Sequence, residues 1–253
     1  MSLILGIDEA GRGPLIGPMI IAGTAVPEDD FESLLEMGVK DSKKLSREKL
    51  ISLFTGLKKN YVLTLSAPHL HNKLMGGYRK VLTISAEEID NSGKSLNTLT
   101  KEKTVLIIAS LILQIRNTQK IKKVYLDCPE QNTYAYASEI EFLLKRDNEY
   151  LPYIPEIIAE HKADENHVPV SLASIFAKHQ REASMLSIRA AYKDRGDCGS
   201  GYTSDQKTIY FLRDNLGEAG VDAVFRHSWA TYRRMKALLG SGEIVRKKRI
   251  RKD

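Results

Sequence analysis

Short apolar runs closed by polar residues recur along the chain, and they set the expected architecture. Leu3-Ile4-Leu5 followed by Ile7 predicts a buried strand over Leu3 to Asp8. Similar runs predict strands at Met19 to Val26, Tyr61 to Ser66, Lys123 to Asp127 and Glu156 to Glu160. Little helical sequence separates the first two, so the first three read as an antiparallel meander. The last two each follow a helical pattern and read as parallel additions to the same sheet. From Thr100 to Gln119, apolar positions 105, 108, 109, 112 and 115 recur at helical spacing. A second long helix starts near Pro169, which suits a first helical turn. Its expected buried face carries Leu172, Ile175, Phe176, His179, Ala183 and Leu186. The loop Gly196-Asp197-Cys198-Gly199-Ser200-Gly201 breaks that pattern, and two further helices follow at about Ser204 to Leu216 and Ser228 to Leu239. The expectation is an α/β domain over 1–195, a mixed sheet flanked by helices, with a small C-terminal helical appendage over 196–253.

Composition narrows this picture only slightly. With 253 residues, 42% hydrophobic and 28% charged, the chain suits one large domain or one domain with an appendage. The longest apolar run, Val105 to Leu113, is closed off by Arg116 and is too short for a membrane span. The first residues lack the basic and apolar segments of a secretory signal, so a cytoplasmic setting is expected. The two cysteines, Cys128 and Cys198, are read as free thiols. Cys128 directly follows Asp127, so its oxidation would disturb any site there. A net charge of +6 points to an anionic partner, as does a tail with six Lys or Arg among the seven residues from Arg246 to Lys252. A solvated terminus is the plainer reading of that tail.

The acidic residues carry the chemistry. Asp8 and Glu9 close the first strand, just before Gly11-Arg12-Gly13-Pro14. Adjacent strand side chains point to opposite faces, so convergence of the two acids needs the strand to end there, with a bend at Ala10-Gly11. Asp127 closes the Lys123 strand, and Asp164 lies just beyond the Glu156 strand in the turn before the Pro169 helix. Acidic groups thus stand at or just past the carboxyl ends of three strands, the edge where sites assemble in α/β sheets. Singly, each could be a turn or cap residue. Together they would repel one another unless cations intervene, and hard oxygen donors suit Mg²⁺ or Mn²⁺. Two such ions can serve phosphoryl transfer.

The nonamer Gly6-Ile7-Asp8-Glu9-Ala10-Gly11-Arg12-Gly13-Pro14, with Gly17-Pro18 after it, resembles the opening of the type 2 ribonucleases H, the ribonuclease HII family. Matches continue through Asp41-Ser42-Lys43-Lys44-Leu45, Ser85-Ala86-Glu87-Glu88-Ile89-Asp90, His161-Lys162-Ala163-Asp164, Val170 to Ile175 and Gly199-Ser200-Gly201-Tyr202-Thr203-Ser204-Asp205. The resemblance implies a ribonuclease-H-like fold and assigns Asp8, Glu9, Asp127 and Asp164 as catalytic residues and ligands of two divalent ions. It implies hydrolysis of the RNA strand of RNA:DNA hybrids, and nicking 5′ of single ribonucleotides in duplex DNA to leave 3′-hydroxyl and 5′-phosphate ends. Substrate contacts are implied for Gly11, Arg12, Gly13 and Tyr202 at the ribose 2′-hydroxyl, and for Ser42 and Lys43 at phosphates. Two positions depart from the family pattern. Thr203 replaces a usual proline, which would loosen the loop around Tyr202, and Leu172 replaces a smaller residue, which would alter helix packing.

Other readings stay open. A DNA nuclease of the same fold would use the acids but leave the Gly-Arg-Gly turn and Tyr202 without a task. A non-catalytic basic duplex-binding protein would account for the charge alone. His161 is a weak proton-shuttle candidate, His69 and His71 read as surface residues, and Trp229 reads as an anchor of the appendage. The acids of the Ser85 to Asp90 segment are read as structural. No glutamine-led clamp-binding motif stands near the C-terminus, so no protein partner is expected.

Overall fold

The computed structural model describes residues 2–39, 53, 73–74 and 77–243. The chain divides into two compact units. The first comprises Met1–Ala10, Ile20–Leu82 and Ser95–Gln180, and the second Gly11–Met19, Thr83–Lys94 and Arg181–Asp253.

The first unit is built on a mixed sheet with six strands among the described residues. They are β1 (Ser2–Ala10), β2 (Met19–Pro27), β3 (Lys73–Leu74), β4 (Gly77–Ile84), β5 (Lys120–Asp127) and β6 (Glu156–Glu160), in the order β3-β4-β2-β1-β5-β6. β1 pairs antiparallel with β2, while β5 lies parallel to β1 and β6 parallel to β5. The antiparallel start and the two parallel additions are those expected from the sequence. The strand expected at Tyr61 to Ser66 lies outside the described residues. β4 is not among the expected strands: its Tyr78-Arg79-Lys80 stretch hides the apolar alternation that marks one.

Helices of the first unit cover both faces of this sheet, and others belong to the second unit. The elements are α1 (Phe31–Glu36), α2 (Ala86–Asn91), α3 (Leu96–Ile115), α4 (Thr133–Asp147), α5 (Ala163–Asn166), α6 (Val168–Ala191), α7 (Gln206–Asn215) and α8 (Ala230–Ser241). α3 starts four residues before the periodicity suggests, because the Ser95 hydroxyl caps it by accepting from the Thr98 amide at 3.1 Å. It is buried on most sides, as a core helix requires. A Cβ placed on Gly23 of β2 would meet Ile107 of α3 at 2.5 Å, so α3 lies directly on that face. On the other face α6 comes closer still. A Cβ on Gly6 would stand 2.2 Å from the Pro169 carbonyl carbon, and the Thr24 hydroxyl donates to the Pro169 carbonyl at 2.6 Å. Only glycine admits the helix there.

The first half of α6 buries Leu172, Ile175 and Phe176 as expected. Leu172 is fully buried within that cluster. The expected face fails at Leu186, which is 43% exposed. Along the second half, Arg181 and Met185 turn inward instead, because here the helix serves the core of the second unit.

That core gathers Leu15, Ile16, Met185, Cys198, Phe211, Leu212, Phe225 and Tyr232. Ile16 bridges Phe225 in the backbone, and the Phe211 and Phe225 rings lie 5.8 Å apart. Asp205 caps α7, and Gly242 ends α8 with φ at +77°. Both cysteines are buried free thiols, and burial raises each thiol's pKa. Among the described residues no helix is long and apolar enough to cross a membrane.

Candidate active site

β1 remains a regular strand through both of its acids, with Asp8 opposite Ala22, Glu9 opposite Ile21 and Ala10 opposite Ile20. The bend expected at Ala10-Gly11 is therefore not what brings them together. Regular pleating sends Asp8 to the same face as Gly6, toward α6, and Glu9 to the same face as Ile7, toward α3. The two acids straddle the sheet. Both border a narrow crevice that Asp127 also lines, together with Thr100, Thr104 and Tyr136.

Asp127 ends β5 opposite Glu160, and its carboxylate accepts from the Ala163 amide at 2.9 Å. That bond ties it to the turn bearing Asp164. The turn is strained: Lys162 has φ at +57°, the one non-glycine residue in the left-handed region among the described residues. Glu160 and His167 brace the turn at 2.9 Å, and the His167 ring stacks on Tyr125 at 3.8 Å. Asp164 follows in α5, only 2% exposed, and its carbonyl accepts from the Ser171 hydroxyl. His161 is exposed, and its Nδ1 lies 3.3 Å from the Cys128 carbonyl.

Electrostatics join three of the four acids. The Asp8 carboxyl is pushed up to about 7, first by burial, then by the charge of Asp127, with Asp164 adding to the effect. Hydrogen bonds from the Ser174 hydroxyl and the Glu9 amide, the latter at 2.7 Å, oppose this only in part. Ser174, buried in α6, lies within the Val170 to Ile175 match, but the sequence reading gave it no role. Among the described residues no group of three or more His, Cys, Asp or Glu side chains stands close enough together to hold a metal ion. The donor set nonetheless fits a hard cation. It is all carboxylate oxygen, and its negative charge is compensated too weakly for Asp8 to ionise at its ordinary pH.

The second unit holds the Gly-Arg-Gly turn and the tyrosine loop. Gly11 has φ at +80°, and a Cβ there would meet the Arg181 side chain at 2.6 Å and the Pro18 carbonyl at 2.8 Å. Gly11 is buried, Arg12 partly buried and Gly13 exposed. Tyr202 is 43% exposed, and the Arg181 guanidinium carbon lies 5.6 Å from its ring centre. Hydrogen bonds hold the loop on the N-terminal side of Thr203. Asp205 accepts from the Ser200 amide at 2.7 Å, Thr208 from the Gly201 amide at 3.0 Å, and Arg189 donates to the Gly199 carbonyl at 3.0 Å. Ser42, Lys43, His69, His71 and the basic tail all lie outside the described residues. Arg181 and Arg226, both buried, escape a reading of the sequence because arginine ordinarily reads as surface charge.

The mixed sheet, with acids at the ends of β1 and β5 and just past β6, has a ribonuclease-H-like arrangement. The ribonuclease HII family model matches residues 5–232. Ribonuclease HII of Pyrococcus furiosus is 36% identical over 235 residues, covering 91% of this chain and 90% of that protein. The crystal structure of ribonuclease H2 from Pyrococcus horikoshii OT3 superposes with a TM-score of 0.73 at 32% identity, covering 93% of this chain and 98% of that one. An RNase HII from Archaeoglobus fulgidus, solved in a complex with PCNA, gives 0.69 at 30% identity, covering 90% and 95%. The chain belongs to the ribonuclease HII family and is a nuclease of the ribonuclease H class, acting on RNA:DNA hybrids.

Proposed function

We propose that this enzyme hydrolyses the RNA strand of RNA:DNA hybrids and also nicks duplex DNA on the 5′ side of single embedded ribonucleotides, leaving 3′-hydroxyl and 5′-phosphate ends. The observation that carries the reading is the meeting of Asp8, Glu9 and Asp127 at one crevice, with the Asp127 carboxylate bonded to the Ala163 amide beside Asp164. Asp8, Glu9, Asp127 and Asp164 would hold two Mg²⁺ or Mn²⁺ ions, whose chemistry is to activate a water and stabilise the departing 3′ oxygen. Asp127 is kept aimed by the Ala163 amide, and Asp8 by Ser174 and the Glu9 amide. Their rigidity supports in-line geometry, which supplies much of the rate in phosphoryl transfer.

Gly11, Arg12 and Gly13 are assigned to the ribose 2′-hydroxyl, the group that distinguishes RNA from DNA. Tyr202, half-exposed over Arg181, is assigned to the same ribose, and Ser42 and Lys43 to phosphates. Removal of ribonucleotides during DNA repair and replication, in the cytoplasm, is the setting this activity suits. PCNA belongs to the Archaeoglobus relative's structure and is not proposed as a partner here.

The test is a DNA duplex bearing one ribonucleotide, incubated with Mg²⁺, Mn²⁺ or chelator. A single metal-dependent nick is expected, and it should nearly vanish with Asp127→Asn. Cleavage of an all-DNA duplex at a comparable rate would point to a DNA nuclease instead. Binding without products, indifferent to chelation, would point to a non-catalytic duplex binder.

A further inference from the structure

The second unit contains a buried charge that none of the chemistry above uses. Arg226 is fully buried, and its guanidinium is spent on main-chain carbonyls. Nη2 donates to Gly11 at 2.6 Å and to Gly17 at 2.9 Å, Nη1 to Arg12 at 2.7 Å, and Nε to Gly17 at 3.1 Å. Trp229 completes the arrangement. Its ring centre lies 4.8 Å from the guanidinium carbon, and its Nε1 donates to the Gly13 carbonyl at 3.0 Å. Three successive carbonyls, those of Gly11, Arg12 and Gly13, are thereby gripped by one guanidinium–indole pair.

This grip has a directional consequence. In a planar trans peptide the N–H of the following residue points opposite to the carbonyl. Holding the Gly11 and Arg12 carbonyls toward Arg226 therefore turns the Arg12 and Gly13 amides the other way. The gripping segment is itself fixed. The Arg226 amide donates to the Leu15 carbonyl at 2.9 Å. Asp90, at the end of α2, accepts from the His227 amide at 2.6 Å and the Ser228 amide at 2.9 Å. The acid of the Ser85 to Asp90 segment thus has the structural role expected of it, and its object is the Arg226–Trp229 segment.

We propose that Arg226, closed over by Trp229, is the positioning residue of the Gly11-Arg12-Gly13 turn and sets the enzyme's preference for a ribonucleotide over a deoxyribonucleotide. The inference rests on the reading that this turn meets the ribose. A planar fork with five donors suits three carbonyls at once; a lysine, a point charge on a flexible stem, cannot span them.

The test compares wild type, Arg226→Lys and Trp229→Phe as full-length chains. For each, thermal unfolding is recorded, with kcat and KM on the single-ribonucleotide duplex and the affinity for the same duplex made wholly of DNA. Trp229→Phe keeps a ring over the guanidinium and removes only the bond to Gly13. It is expected to unfold near the wild-type temperature and to lose about 5-fold in kcat/KM on the ribonucleotide substrate, the size of one neutral hydrogen bond. Affinity for all-DNA duplex should stay within about twofold. Arg226→Lys should lose about 30-fold or more on the ribonucleotide substrate, again with the all-DNA affinity retained. If the lysine variant fails to fold, Trp229→Phe decides alone. Equal losses on both duplexes, or an intact ribonucleotide preference in the folded variants, would overturn the inference by itself. A wild type with no ribonucleotide preference would overturn the reading of the turn and this inference with it.

Discussion

The acidic edge of the first unit and the arginine-backed loop of the second treat buried charge in opposite ways. Asp8 is buried beside the charges of Asp127 and Asp164, and the bonds from Ser174 and the Glu9 amide leave its carboxyl at about 7. Arg226 is buried just as deeply, yet it is met by the carbonyls of Gly11, Arg12 and Gly17 at 2.6–3.1 Å. Burial also lowers the Arg226 guanidinium, to about 9, with Arg181 adding to the shift, so it stays a cation at neutral pH. A charge left under-compensated marks a place where a ligand completes the site. A charge solvated by carbonyl dipoles marks a scaffold, complete in itself.

The largest effect expected on this contrast is catalytic. Asp127→Asn should reduce cleavage of the single-ribonucleotide duplex by about 10³-fold, equivalent to about 4 kcal/mol of barrier, measured at saturating Mg²⁺ or Mn²⁺. The variant's fold should survive, since the amide side chain keeps an oxygen that can accept from the Ala163 amide. Gly6→Ala tests the packing that places the acids: its Cβ would stand 2.2 Å from the Pro169 carbonyl carbon. A loss of about 3 kcal/mol is expected in denaturant unfolding. A change below about 0.5 kcal/mol would show that α6 can retreat from β1 freely.

The pH response sharpens the contrast further. The folded protein binds the Asp8 proton more tightly than the unfolded chain, whose carboxyl titrates near 3.8. Metal-free stability should therefore fall as pH rises from about 4 to about 7, and recover as pH is lowered through the same window. Asp8→Asn should remove that slope and make the metal-free protein more stable than wild type at pH 8, while abolishing activity. A wild type that gains stability over this range through Asp8 would have the sign reversed. Smaller again, Tyr202→Ala should lower cleavage at an isolated ribonucleotide by about 10-fold, within the range of one lost stacking contact. It should leave duplex affinity almost unchanged. Equal losses would make Tyr202 a general docking residue.

Much of this is legible in the sequence because acids closing apolar runs are visible without a structure. β1, β2, β5 and β6 lie where their runs predict, and so do the start of α6 near Pro169 and the glycine-rich break before α7. β4 escapes notice because Arg79 and Lys80 interrupt its pattern; Arg79 packs its guanidinium over Phe176 at 4.5 Å rather than pointing to water. Leu186 falls on the wrong side because α6 changes the core it serves near Arg181, and periodicity assumes a single buried face. Arg226 carries one faint signal, its place between Phe225 and Trp229. Its partners are carbonyls more than two hundred residues away, which no local pattern can register.

The most direct measurement is calorimetric titration of Mn²⁺ into the nucleic-acid-free protein, comparing wild type with Asp127→Asn and Asp164→Asn near pH 7. Wild type should bind Mn²⁺ and release a proton as it does so, and each variant should bind at least about 10-fold more weakly. Binding of equal strength in all three would contradict a shared carboxylate centre for the metal.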